Sequence, residues 1–444
     1  MKLMRVKDNS SILKEEFEPV KNLVKKISDK TLEELEKENL FVFPELLKNS
    51  DDIIKDQMIL QSVNSKYILS NVMGFLGYGN ERLDITSRFD ESRQDFFLQY
   101  LLGKVMDMPN IVELNTNVNS ENRLLNLLIF LFPYYLKLAM RKGSYKTYIY
   151  NEYNDENIKG TIDVSRHIKI NTPFVGNIAY KKREFSYDNY VMELVRHTIE
   201  FIRHKPYGQN LLQKVKDEVS SVILATNNYA SYNKNKIIQL NKKKPLSHAY
   251  YHEYRSLQRI CILILKEEKY QIGLGTNQLY GILFDGAWLW EEYVNSLIKN
   301  RFYHPMNKGR QGAQRLFSTN SSKVGLIYPD FISKDIKNRI IVDAKYKPIS
   351  NIGNKDYLQV LAYMFRFNSK KGMYLYPEKS DEDDLILKLN KGTTYENNVS
   401  VNDDITIIKC GLKIPNEANS YEDFVVKIKE SENQFISRLL HSYY

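Results

Sequence analysis

Val324-Gly-Leu-Ile-Tyr-Pro-Asp-Phe-Ile332 and, a short polar interval later, Arg339-Ile-Ile-Val-Asp-Ala-Lys-Tyr346 decide how the C-terminal third of this chain is read. Both are brief apolar runs rich in β-branched and aromatic residues. The polar Lys334 to Asn338 between them reads as a turn, so a hairpin is expected. Side chains alternate across a strand, which puts Asp343 and Lys345 on one face, where Asp330 on the neighbouring strand can join them. Two carboxylates and an ammonium group then converge. Hydrolysis of a phosphodiester needs oxygen ligands for a hard divalent cation, a water of lowered pKa and a positive group near the phosphate. This trio supplies all three. The expected arrangement has Asp330, Asp343 and the Ala344 carbonyl holding Mg²⁺, with Mn²⁺ able to substitute. Lys345 orients the attacking water and stabilises the charge that builds on the phosphorus oxygens.

The neighbours of this hairpin add to it. Upstream, after Gly281, the residues Trp290, Tyr293, Val294, Leu297 and Ile298 recur at helical spacing and leave Glu291 at the edge of the apolar face, where it can complete the metal shell. Downstream, Lys355 to Phe367 is expected to be a helix with Tyr357, Leu358, Leu361, Met364 and Phe365 inward. Gln359 and Tyr363, four apart, share another face and can reach the site. Gly372-Met-Tyr-Leu-Tyr-Pro377 and Ile405-Thr-Ile-Ile408 read as further strands. Helix, hairpin, helix and strand in that order are the contents of a restriction-endonuclease-like α/β core. An isolated Asp-x-Lys is common and usually structural; here the Pro-Asp, the Asp-Ala-Lys and the two flanking helices occur together.

The whole chain sets wider bounds. At 444 residues it exceeds what one core usually organises, so a mixed α/β, multidomain protein is expected. Its 43% hydrophobic and 27% charged residues exclude wholesale disorder. Lys and Arg (64) outnumber Asp and Glu (54), a net +10 that suits a polyanionic partner but also follows from the Lys- and Asn-rich usage of an AT-rich genome. Cys261 and Cys410 are too few for a disulfide framework or a four-thiolate zinc site, and they fit a reducing cytoplasm. Met1 to Glu16 mixes charges from the start, and no stretch reaches the roughly 18 apolar residues of a membrane span, so a soluble, non-exported cytoplasmic protein with no membrane partner is expected.

Three regions are expected. Residues 1–92 form a β-rich N-terminal module, with strands at Leu40-Phe-Val-Phe43, Asn71 to Gly77 and Leu83-Asp-Ile85 around a turn at Gly79. Residues 93–275 form a mixed α/β middle region. It holds a buried helix at Leu124 to Leu136, strand-like sequence from Tyr148 to Ile168 with a turn at Gly160, and a helix at Tyr187 to Arg203 that turns Val191, Leu194, Val195, Ile199 and Ile202 to one side. Within it, Asn227 to His252 carries Lys234, Lys236, Lys242, Lys243 and Lys244 among tyrosines with no acid, and reads as a loop, either solvated or polyanion-facing. Residues 276–444 form the nuclease-like domain.

Pro329-Asp330, Asp343-Ala-Lys-Tyr-Lys347, Trp290-Glu-Glu-Tyr-Val294 and Tyr357-Leu-Gln-Val-Leu-Ala-Tyr363 resemble the McrC and LlaJI-type restriction subunits, whose C-terminal domain is a PD-(D/E)xK nuclease. Lys159 to Ile168, Glu184 to Asn189 and Tyr250 to Arg255 resemble blocks of that family's middle region. Phe97 to Lys104 and Leu131 to Leu136 look closer to the LlaJI branch. The resemblance covers about residues 70 to 380. It implies Mg²⁺-dependent cleavage of double-stranded DNA, in phage defence, with a McrB-like AAA+ GTPase hexamer as partner. No Gly-x-x-x-x-Gly-Lys-[Ser/Thr] loop occurs in the chain, so GTP hydrolysis is expected to belong to that partner, which the middle region binds, and to be stimulated by residues up to about 270 even when the chain is cut near residue 275.

Other residues are expected to be structural: Ser165, His167, His248 and His252 lack the surroundings of a triad or zinc site, while Arg166, Arg183 and Asp188 organise the middle region or an interface. Two rival functions stand beside the nuclease subunit. One is a non-catalytic adaptor that keeps an endonuclease-like fold to bind DNA or a motor; the other is a stand-alone repair-type nuclease.

Overall fold

The structure, a computed structural model, describes residues 2–38, 40–43, 56–91, 95–105, 123–205, 207–270, 279–305, 312–320, 322–380, 383–392 and 400–441. The fold is mixed α/β in two compact units, Met1–Val112 together with Gly275–Tyr444, and Glu113–Leu274. The N-terminal region is β-rich as expected, but it shares a sheet with the C-terminal third. In strand order, Lys2–Lys7, Glu81–Thr86, Val72–Tyr78, Leu279–Asp285 and Leu40–Phe43 lie side by side. The late strand Leu279–Asp285 thus sits between two early ones. Close approach is enforced by paired glycines: a Cβ on Gly74 (φ +137°) would lie 2.2 Å from the Ile282 carbonyl oxygen, and one on Gly281 (φ +158°) 2.4 Å from that of Phe75. Beneath this sheet lies an apolar core that includes Phe17, Leu23, Ile27, Leu35, Leu76 and Leu283.

The second sheet of this unit runs Phe302–Tyr303, Phe331–Ser333, Ile340–Ala344, Lys371–Glu378, Ser400–Lys413 and Leu385–Lys391. Its central three strands are parallel and the outer ones antiparallel. The helices Gly286–Ile298 and Asn354–Arg366 fall before the hairpin and before the Lys371–Glu378 strand, the order the sequence implied. The chain beyond Glu378, outside the resemblance, supplies a full-length parallel strand of the sheet and the helix Tyr421–His441.

Two local expectations change. Val324 to Ile332 is not one strand. Lys323–Ile327 pairs back on Gln314–Ser318 as a separate ribbon, and only Phe331–Ser333 enters the sheet. Pro329 has no N–H to give a ladder, so the strand breaks there. The helix Asn354–Arg366 is also rotated from the expected face: Leu358 is 70% and Phe365 87% exposed, whereas Val360, Tyr363 and Met364 are buried. The cause lies in the sheet below, because Gly372 leaves room for Val360 and Met364 to press against its backbone.

In the unit Glu113–Leu274, the helix Arg123–Met140 is the expected core helix and packs on Glu253–Tyr270. Thr147–Asp155 and Ile178–Ser186 form an antiparallel pair along their full length. The strand expected before the Gly160 turn is Thr147–Asp155, and after the two-residue strand Thr161–Ile162 the chain turns into a helix, Val164–Ile170. The lysine-rich segment is not a loop. It contains the helix Lys234–Lys243, whose Ile237, Ile238 and Asn241 are buried while Lys236, Lys242 and Lys243 face out. The Asn241 amide donates to the Tyr190 carbonyl at 2.7 Å, fixing this helix to Tyr190–Arg203. Among the described residues no helix is long and apolar enough to cross a membrane.

His197, buried on the helix Tyr190–Arg203, meets the Tyr229 ring edge-on at 4.7 Å, and its Nε2 has no hydrogen-bond partner. Burial first, then Lys234 and Arg196, push its pKa down to about 4. The folded state therefore excludes a proton that the unfolded chain takes up near the ordinary imidazole pKa. The resulting stability is present above that ordinary value and is lost as pH falls toward 4. Between pH 7 and pH 5 the loss, discounted for solvent screening of the ring, is about 1 kcal/mol, measurable by denaturant unfolding, and His197→Phe, which keeps a ring against Tyr229, removes it.

Gly372→Ala places a Cβ 2.7 Å from Met364 Sδ and 2.8 Å from Val360 Cγ1. Lifting the helix to make room is expected to cost about 1–3 kcal/mol, read as a lower melting temperature.

Candidate active site

The register Phe331↔Val342 and Ile332↔Ile341 makes Asp330 and Asp343 the next opposed positions. Their meeting is fixed by the main chain: the Ala344 N–H donates to Asp330 Oδ2 at 2.8 Å. Lys345 follows the strand end, held by its own N–H to the Leu375 carbonyl at 2.9 Å, and its ammonium lies 2.7 Å from Asp343 Oδ2. From the helix Asn354–Arg366, Gln359 Oε1 accepts from Lys345 Nζ at 3.3 Å, while its amide donates to the Tyr363 hydroxyl at 2.7 Å. The structure thus brings Asp330, Asp343, Lys345 and Gln359 together.

Glu291, on the helix Gly286–Ile298, reaches the same place through its charge. It lies 3.7 Å from His304 Nε2, and His304 Nδ1 contacts the Asp330 carbonyl at 2.9 Å. Burial works against protonation of His304, but Glu292 and Asp330 outweigh it and raise its pKa. Its face stacks on Phe331 at 4.8 Å.

The electrostatics follow from enclosure. Burial pushes both carboxyl pKa values up: Asp330 further through Glu291 and Asp343, and Asp343 against the opposing pull of Lys345. Burial would also depress Lys345, but the Asp343 and Asp330 carboxylates more than reverse it, so the amine stays protonated. The fully buried Asp343 Oδ2 has Lys345 as an ion-pair neighbour, yet no aligned hydrogen bond. A crowded pair of enclosed carboxyls with one such oxygen suits a divalent cation of the kind held by one or two carboxylates, with water and phosphate oxygens filling the rest. Among the described residues, no three His, Cys, Asp or Glu side chains gather into a protein-only cage.

Several participants escaped sequence reasoning. Lys347 and Asp356 form an ion pair at 2.7 Å, and Asp356 also stands 3.6 Å from Lys345. Although burial works the other way, Lys347 and the Gly353 N–H hold the Asp356 carboxyl below its usual range. An acid in a first helical turn was the available signal for Asp356; His304 had none, because Tyr303 and Ile332 become neighbours only on folding. The residues expected to be structural make local bonds. His167 Nδ1 lies 2.9 Å from the Asn171 amide, Arg166 donates to the Tyr153 carbonyl at 3.2 Å, and Arg183 stacks 4.0 Å from the Tyr148 ring.

The model of the McrBC 5-methylcytosine restriction system component family matches residues 68–377, more than half of the chain. No curated protein matches. Among the solved structures similar to this chain are two from Thermococcus gammatolerans. One is a half-complex from a tetradecameric assembly of McrB AAA+ hexamers with bound McrC, at 14% identity over 96% of this chain and 99% of that one, TM-score 0.46. The other is the McrBC complex seen by cryo-EM, at 14% identity over 67% and 87%, TM-score 0.32. By the extent of its family match, the chain belongs to the McrBC 5-methylcytosine restriction system components.

Proposed function

We propose that this chain is the DNA-cleaving subunit of a GTP-dependent restriction system, and that it stimulates a McrB-like AAA+ GTPase partner. The observation that carries the reading is the meeting of Asp330, Asp343 and Lys345, with the Ala344 N–H holding Asp330 in place. Asp330, Asp343 and the Ala344 carbonyl would hold Mg²⁺ or Mn²⁺, with Glu291 adding negative charge. When bound, that ion lowers the pKa of a water and neutralises charge on the phosphate. Lys345 remains cationic beside Asp343 and presents its ammonium to the attacking water and to the phosphate oxygens. Gln359 fixes that ammonium from the other side, and Tyr363 fixes Gln359. The intact acidic and lysine positions favour catalysis over the adaptor reading.

The unit Glu113–Leu274 is the part we assign to the GTPase partner. Around its strand pair, Ile162, Val164, Ile168, Ile170, Phe174 and Val175 are all exposed, more apolar surface in one stretch than a solvent-facing segment needs. The chain carries no phosphate-binding loop of its own.

Asp343→Ala, Asp330→Ala and Lys345→Ala should each lower plasmid cleavage by roughly two to four orders of magnitude in the presence of the partner. Cleavage retained by Asp343→Ala would overturn the site. Mg²⁺ or Mn²⁺ should support the reaction and Ca²⁺ should not, since its looser coordination polarises water less; cutting in a chelator points to another mechanism.

Stimulation of GTP turnover should survive Asp343→Ala in the full-length chain. Ending the chain near residue 275 is a poor test, because it strips Leu279–Asp285 from the middle of the N-terminal sheet. If the full-length Asp343→Ala protein binds the partner but leaves turnover at its basal rate, the two roles are not separable.

A further inference from the structure

Tyr346, directly after Lys345, is almost fully buried against the N-terminal sheet. Its hydroxyl is 2.6 Å from Ser87 Oγ and 3.3 Å from Met73 Sδ. Phe89 meets its ring edge-on at 5.1 Å. The Arg88 guanidinium stacks on that ring at 4.6 Å and donates to the Tyr346 carbonyl oxygen. Arg88 is itself held: one nitrogen donates to Asp8 Oδ2 at 2.8 Å and to Asn71 Oδ1 at 3.0 Å, and Asp8 Oδ1 accepts the Arg88 main-chain N–H at 2.6 Å. Asp8 has no exposed surface.

The same tyrosine touches the start of the helix that carries Glu291. A Cβ on Gly286 would lie 2.8 Å from Tyr346 Cε1, and the Gly286 N–H donates to the Asn71 carbonyl at 3.2 Å. The Glu291 helix and the Asp343–Lys345 strand end are therefore both referenced to residues 71–88 of the N-terminal sheet.

We infer that Arg88 and Tyr346 are positioning residues for the nuclease site, a latch through which the N-terminal sheet sets where Lys345 and the Glu291 helix stand. The inference rests on the nuclease reading. Lys345 is tied on one side by its N–H to Leu375, and the next carbonyl is gripped from the other side by Arg88. Without that grip, the main chain after Lys345 loses its bond to the N-terminal region at the Tyr346 carbonyl, and its position rests on the Leu375 bond, the local Lys347 N–H to Lys345 carbonyl bond and the Tyr346 side chain. Displacement of a reacting group by about 1 Å costs as much as a hundredfold in rate. The hydrogen bonds of the latch run to Asp8, Asn71 and Ser87, so its effect on Lys345 passes through geometry.

The test uses the full-length protein with its GTPase partner. Arg88→Ala alone leaves the Asp8 carboxylate buried without its cation and risks misfolding. The informative variant is Arg88→Met combined with Asp8→Asn, which removes both charges at once. Expected are a ten- to hundredfold fall in single-turnover cleavage per folded molecule, GTP stimulation within twofold of wild type, and faster amide hydrogen exchange confined to residues 340–348. Arg88→Lys, able to reach the carbonyl but not to stack as a plane, should recover part of the rate. Wild-type cleavage by the folded double variant, or unchanged exchange at 340–348, overturns the latch. Asp343→Ala run in parallel separates the two readings: cleavage surviving there sinks the nuclease site, whereas the exchange measurement judges the latch by itself.

Discussion

Two carboxyl groups are enclosed opposite each other where the Phe331–Ser333 strand runs antiparallel to Ile340–Ala344, and the rest of this unit serves to make that tolerable. Burying like charges is costly unless each finds a partner. One main-chain N–H, from Ala344, is committed to Asp330, and one ammonium, from Lys345, to Asp343. Lys345 is in turn shared with Gln359 and Asp356, and Asp356 is balanced by Lys347. Shift the pairing by one residue and Asp343 would point to the opposite face of the sheet, away from the Gln359 helix.

That sheet is not free-standing. The strand Leu279–Asp285 leads straight into the helix of Glu291, and it is hydrogen-bonded between strands from the first 80 residues of the chain. Asp285 caps that helix by accepting from the N–H groups of Ala287 and Trp288. Trp290, one turn in, donates to the Leu375 carbonyl at 3.0 Å, the same oxygen that receives the Lys345 N–H. The Glu291 helix, the strand of Asp343 and the N-terminal sheet are thereby tied through shared backbone groups, a tighter coupling than side-chain packing alone provides.

Different physical signals were legible to different degrees. Apolar periodicity identified the Glu291 helix and the strand Ile340–Ala344 because both are buried along much of their length, where hydrophobic pattern and structure coincide. It misjudged Asn354–Arg366, where Leu358 and Phe365 look inward by composition and face outward in the fold. The helix rotates to meet Gly372, whose missing side chain is visible only once the strand is known to lie beneath it. The lysine-rich stretch was misread as a loop for a related reason. Ile237, Ile238 and Asn241 are a thin buried stripe within a polar sequence, and packing on the neighbouring helix, not propensity, makes them helical.

The amino-acid sequence by itself determined the candidate site's vocabulary: Asp330, Asp343, Lys345, Glu291 and Gln359, at spacings that period-two and helical geometry convert into shared faces. Those relations are local, spanning a few residues or one turn, and local rules suffice for them. Only the tertiary structure decided that residues 1–112 and 275–444 form one unit, that Arg88 grips the main chain after Lys345, and that His304 stands between Glu291 and the Asp330 carbonyl. Such contacts join residues tens to hundreds of positions apart. Their closure depends on the whole core being packed at once, which no window of sequence encodes.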